Sequence, residues 1–113
     1  MEKVFKKLDS VAIKISLIED ENEIGRAFLY IIKNDLHKSP YGLMEDVFVY
    51  ESRRKQGLGR ELVNLVVDEA KKQGCYKLVA TSRSEREKVH ELYKKLGFNE
   101  HGKEFRMELK NPD

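Results

Sequence analysis

Apolar and polar residues alternate from Val11 to Leu17, with Val11, Ile13, Ile15 and Leu17 on one side and Ala12, Lys14 and Ser16 on the other. A period of two marks a half-buried strand. Asp20-Glu21-Asn22-Glu23 reads as a turn, and Arg26–Lys33 as the antiparallel partner that follows it. A third strand is predicted from Leu43 to Tyr50. Its centre, Val47-Phe48-Val49, is an unbroken apolar run that suits burial on both faces. The period then lengthens: Leu58, Leu62, Leu65, Val66 and Ala70 recur at helical spacing, and Gly74 is a stop signal. Leu78-Val79-Ala80 reads as a short buried strand. A second helix is predicted over Glu85–Leu96, with Val89, Leu92, Tyr93 and Leu96 on one face. Ser84 and Glu87 form a capping-box pattern at its start, and Gly97 closes it. Phe105, Met107 and Leu109 alternate in a last strand, with a short one opening at Phe98. Residues 1–9 carry no clear period.

This order implies an α/β fold with a mixed, α+β-type sheet. Antiparallel strands come first, then a strand–helix–strand crossover that sets two strands parallel. A length of 113 residues, with no repeat and no linker-like stretch, predicts one domain spanning 1–113. Lys plus Arg number 22 and Asp plus Glu 20, a net charge of +2. So small an excess argues against a dedicated nucleic-acid binder. No apolar run approaches the ~20 residues of a membrane span, and Met1–Lys7 lacks the apolar stretch of a signal peptide. Cys75 is the one cysteine and has no intramolecular disulfide partner. A cytoplasmic location follows as the expectation.

The segment Glu45-Asp46-Val47-Phe48-Val49-Tyr50-Glu51-Ser52-Arg53-Arg54-Lys55-Gln56-Gly57-Leu58-Gly59-Arg60 leads from a buried strand through a basic loop into a helix. The first turn of a helix carries N–H groups without intrahelical acceptors and a partial positive charge. Glycine there lets a ligand approach the backbone closely. The pattern predicts a cradle for a phosphate or diphosphate, with Arg53, Arg54, Lys55 and Arg60 adding charge around it. There is no Gly-Lys-Ser/Thr, so this is not a Walker loop, and the third glycine of a dinucleotide fingerprint is missing. A tight turn flanked by solvated cations is the bland alternative.

Arg54-Lys55-Gln56-Gly57-Leu58-Gly59 after a Val-Phe-Val strand resembles the acetyl-CoA motif of the GNAT superfamily of N-acetyltransferases. Val89-His90-Glu91-Leu92-Tyr93-Lys94-Lys95-Leu96-Gly97-Phe98 resembles the later helix of that family, which ends Tyr-x-x-Leu-Gly-Phe. The two blocks stand in the family's order, with one helix and one strand between them. The resemblance implies a GNAT-like acyl-CoA N-acyltransferase fold over roughly residues 10–110. It also implies acetyl-CoA as cosubstrate, no metal, and direct transfer of an acetyl group to a primary amine. Two features depart from the family. Only about nine residues precede the first strand, where family members begin with a strand and one or two helices. The expectation is an acceptor site left open or completed by a second subunit, so a homodimer is in view. Arg86 stands where many members carry an Asn that contacts pantetheine.

By resemblance, the backbone of Val47, Phe48 and Val49 binds pantetheine and polarises the thioester carbonyl, and the amides of Arg54, Lys55, Gln56, Gly57, Leu58, Gly59 and Arg60 hold the diphosphate. The attacking amine must be neutral; a lysine amine (pKa ~10.4) needs a base more than an α-amine (~7.7–8) does. Glu45, just upstream of the cofactor strand, is the candidate base, with Asp46 facing the other side by strand alternation. Tyr93 matches the family tyrosine near the coenzyme sulfur. Cys75 reads as a small core residue, and His90 as a surface or packing group; His37, His90 and His101 lack metal spacing. The acceptor is open: polyamine, amino acid, aminoglycoside, protein lysine and protein N-terminus all fit. A module that binds acyl-CoA and regulates a partner without turnover is the competing function.

Overall fold

The computed structural model describes residues 1–113. They form two compact units, Met1–Ala80 and Thr81–Asp113. In the first, β1 (Val11–Glu19), β2 (Asn22–Ile32), β3 (Tyr41–Val49) and β4 (Leu78–Ala80) make one sheet in the order β1-β2-β3-β4. The first two pairings are antiparallel and β3–β4 is parallel, joined through α1 (Leu58–Lys72). This is the topology expected from the pattern. The β1–β2 turn is tighter than the four-residue reading: Asp20 and Glu21 alone make it, at φ 51° and 67°. Two left-handed residues give a turn whose twist matches that of the flanking strands.

The register puts Ile13, Ile15 and Leu17 beside Leu29, Ala27 and Gly25 on one sheet face. α1 packs on that face. Its Leu62, Val63, Val66 and Ala70 are buried with Ala27, Leu29 and Ile31 of β2 and Met44 of β3. The core is therefore one sheet face under one amphipathic helix. Val47-Phe48-Val49 is not buried on both faces as its apolar run suggests: the valines are half-buried and Phe48 is 39% exposed. α1 ends as predicted. Gly74 adopts φ 77°, its N–H donates to the Lys71 carbonyl (3.0 Å), and the Cys75 N–H donates to the Ala70 carbonyl (3.0 Å), which is a Schellman closure.

In the second unit, α2 runs Glu87–Lys95, starting later than the sequence pattern suggests. The Ser84/Glu87 capping box does not form. Arg86 is the N-cap and no side chain caps the helix; Ser84 lies before it in a turn in which the Arg86 N–H donates to the Arg83 carbonyl (3.0 Å). The C-terminus is a second Schellman closure. Gly97 sits at φ 102°, its N–H donating to Lys94 (3.1 Å) and the Phe98 N–H to Tyr93 (2.9 Å). The motif's hydrophobic contact is the Tyr93–Phe98 ring pair, 5.3 Å between centroids. The strands expected at Phe98 and over Phe105–Leu109 are not formed, and Phe105, Met107 and Leu109 are 91%, 80% and 85% exposed. Alternation supplies an apolar side, but a strand also needs a ladder partner for its backbone.

Candidate functional site

β3 and β4 pair over three positions only: Gly42↔Leu78, Leu43↔Val79 and Met44↔Ala80. Past Met44, β3 runs on to Val49 while β4 has ended. At this point β3 also bulges. Phe28 faces Glu45 and Arg26 faces Phe48, so Asp46 and Val47 together stand opposite the single residue Ala27. Asp46 takes the extra length at φ 54°. A bulge bends a strand and breaks its pairing locally. Beyond it, the Tyr50 N–H donates to the Ile24 carbonyl of β2 (3.0 Å). Strand alternation then turns the polar groups of Val49 to the opposite, open edge, where its carbonyl accepts from Arg54 Nε at 2.9 Å.

The chain next makes one turn of 3₁₀-helix, Glu51–Arg53, and a loop with Lys55 at φ 66° and Gly57 at φ 77°. Gly57 is the N-cap of α1, and its carbonyl accepts the Glu61 N–H at 3.1 Å. The N–H groups of Lys55 through Arg60 have no protein acceptor, and no side chain caps the helix. A Cβ built on Gly57 or on Gly59 meets nothing within 4 Å. Gly57 is explained by its left-handed backbone. Gly59 is not: it lies within the helix, where glycine costs about 1 kcal/mol relative to alanine, with open space before it. Unpartnered donors, the positive end of a fifteen-residue helix and room at the backbone fit a diphosphate.

One of the four predicted cations is neutralised by a carboxylate. Arg53 makes a bidentate pair with Glu19 (2.5 and 3.0 Å), which holds the Glu19 carboxyl below its usual range and pushes the guanidinium up. Its charge is neutralised across the β1–β2 turn rather than offered at the helix start. Arg54, Lys55, Gln56 and Arg60 are exposed, while Leu58 and Gly59 are half-buried.

Glu45 is half-buried beside Phe28, on the sheet face away from α1. Asp46 does not simply face the other way. The bulge suspends alternation, so Glu45 and Phe48 share a face although they lie three residues apart. Tyr93 is half-buried near the end of α2, in the second unit, and burial pushes its phenol up against the lowering influence of Arg86. Cys75 is half-buried and desolvation raises its thiol, as for a small packing residue. A His90 ring nitrogen lies 2.9 Å from the Arg83 carbonyl.

Two residues near this edge gave no signal in the sequence. Glu23 accepts from Tyr50 Oη (2.8 Å) and Ser16 Oγ (2.8 Å) and pairs with Lys14 (3.0 Å); these contacts lower its carboxyl to about 2. Arg26 donates from Nη1 to the Asp46 carbonyl at 2.6 Å. Glu23 reads in sequence as the end of a turn, and Arg26 as the polar first residue of a strand.

The β3–β4 pairing ends beside an uncapped, glycine-bearing helix start, and the N–H groups of Lys55 through Arg60 are left open to an anionic ligand. Residues 5–98 match the model of the acetyltransferase (GNAT) family, and the chain belongs to that family. It is 38% identical over 68 residues to a glucosamine 6-phosphate N-acetyltransferase of Trypanosoma brucei brucei. That alignment covers 60% of this chain and 44% of the relative, so the chain matches less than half the length of that protein. A crystal structure of a Trypanosoma brucei acetyltransferase superposes with a TM-score of 0.78 at 30% identity, over 87% of this chain and 69% of that one. Glucosamine-6-phosphate N-acetyltransferase from Arabidopsis thaliana shares the fold, with a TM-score of 0.77 at 22% identity over 88% and 67% of the two chains.

Proposed function

We propose that the protein is an acetyl-CoA-dependent N-acetyltransferase that passes the acetyl group directly to a primary amine. The observation carrying this reading is the run of unpartnered N–H groups from Lys55 to Arg60, beside glycines whose Cβ positions face open space. In this reading those amides hold the diphosphate, with Arg54, Lys55 and Arg60 supplying charge. The edge of Val47–Val49 left by β4, where Arg54 already holds the Val49 carbonyl, takes the pantetheine arm as a further strand would be taken. A backbone donor there meets the negative charge that develops on the thioester oxygen, a large source of rate in acyl transfer. The family match crosses the boundary at residues 80/81, which supports treating both units as parts of one acetyltransferase domain.

The proton inventory follows from the same reading. The neutral amine attacks the carbonyl carbon, the carbon–nitrogen bond forms and the carbon–sulfur bond breaks. Glu45 takes the amine proton and Tyr93 supplies one to the leaving thiolate. An unburied phenol (~10) is already a weaker acid than a thiol (~8.5), and burial raises Tyr93 further. Tyr93 therefore stays protonated at neutral pH, and its larger contribution is to place the sulfur. The Trypanosoma brucei brucei relative makes glucosamine 6-phosphate the first acceptor to try.

Acetyl-CoA at ~100 times its Kd stabilises a native state by ~2.7 kcal/mol, a rise in Tm on the order of 10–20 °C for a chain of this size. Thiol release, read with a chromogenic disulfide, follows when the matching amine is added. A shift without thiol release across a broad amine panel identifies a non-catalytic acyl-CoA module instead. No shift with acetyl-CoA or CoA overturns the reading.

A further inference from the structure

At the bulge in β3, the Asp46 carbonyl is taken up by a side chain of β2. Arg26 Nη1 donates to the Asp46 carbonyl at 2.6 Å. The same guanidinium lies over the Phe48 ring, 5.0 Å from its centroid. Arg54 also lies over that ring, at 5.2 Å, and donates from Nε to the Val49 carbonyl at 2.9 Å. Phe48 is thus a shared shelf for two cations, steadied by the Tyr50 ring edge-on at 5.5 Å. Each cation holds one end of the four-residue stretch Asp46–Val49.

We propose that Arg26 is a positioning residue for pantetheine: by capping the bulge carbonyl from the Phe48 shelf, it keeps β3 bent and its free edge open for the pantetheine arm. Asp46 holds a left-handed conformation (φ 54°) that non-glycine residues adopt rarely and at a cost. Such a conformation persists where surrounding contacts over-determine it. Arg26 supplies a charge-assisted hydrogen bond, the stronger kind. Without it, β3 is free to regularise, which would move the Val47–Val49 edge. The Arg54 contact ties the opposite end of the stretch to the loop before α1. The coenzyme's two halves are thereby set by different groups: the diphosphate by the helix start, the pantetheine by the clasped bulge.

This inference rests on the acetyltransferase reading, and the test separates the two. Acetyl-CoA and 3′-phospho-ADP, which keeps the diphosphate and lacks the pantetheine arm, are titrated into the full chain and its Arg26→Met and Arg26→Lys variants. Arg26→Met, similar in length but without donors, should raise the Kd and KM for acetyl-CoA about tenfold or more. The Kd for 3′-phospho-ADP and the KM for the amine should stay within about twofold. Arg26→Lys, which keeps one donor, should recover part of the loss; a merely structural role would weaken both ligands together and show no such rescue. If Arg26→Met does not fold, Arg26→Leu removes the donors instead and carries the same expectation. Acetyl-CoA affinity unchanged in Arg26→Met, or both ligands lost in parallel, overturns the inference alone. Failure of the unsubstituted protein to bind acetyl-CoA overturns the acetyltransferase reading with it.

Discussion

The two ends of α1 carry the same residue in the same conformation: Gly57 before it and Gly74 after it, both at φ 77°. At the C-terminal end the freed carbonyls of Ala70 and Lys71 are taken by the N–H groups of Cys75 and Gly74. At the N-terminal end a run of donors from Lys55 to Arg60 is left with no acceptor, and a second glycine, Gly59, adds room that the fold does not use. A left-handed glycine by itself marks a turn. What separates structure from site is the account of the polar groups around it: closed at one end, open toward solvent at the other.

Substitutions at the two ends should divide binding from stability. The largest effect is expected from Gly59→Glu, which places bulk and negative charge where phosphate belongs. Acetyl-CoA affinity should fall about tenfold or more. The ligand-free Tm should hold or rise slightly, since glycine is the poorer helix former by about 1 kcal/mol. Calorimetric titration beside a melting curve checks both; loss of fold together with binding would mean the space before Gly59 belongs to the protein. Gly74→Ala should do the converse. A non-glycine residue in the left-handed region costs roughly 1–2 kcal/mol, or some 4–8 °C per kcal/mol in a chain this small, while Kd for acetyl-CoA measured well below the transition stays unchanged. A weakened Kd in Gly74→Ala would erase the distinction between the ends.

Much of this arrangement is readable along the chain. β1, β2, β4, α1 and its glycine stop all follow from local periodicity and local backbone chemistry. The motif ending Tyr93-x-x-Leu96-Gly97-Phe98 is local too, since it is the hydrogen-bond and ring pairing of a Schellman closure. What the sequence pattern missed is non-local. The bulge at Asp46 exists because β3 must match β2 on one edge and leave β4 on the other, and neither demand leaves a mark on Asp46 itself. The Arg53–Glu19 pair joins residues 34 apart in sequence, so it removed a predicted cation from the site without warning. Arg26 looked like an ordinary solvent-side strand residue. The alternation of Phe105, Met107 and Leu109 predicted a strand on side-chain grounds alone, but the strand also depends on a backbone partner.

The central claim is that backbone amides at the start of α1 hold the coenzyme's diphosphate, and amide resonances of the ¹⁵N-labelled protein report on those groups one by one. Titration with CoA should move the N–H signals of Gly57, Leu58, Gly59 and Arg60 downfield, as hydrogen bonds to phosphate form, and leave that of Gly74 in place. Saturation by CoA with the Gly57 and Gly59 signals unmoved would contradict the claim.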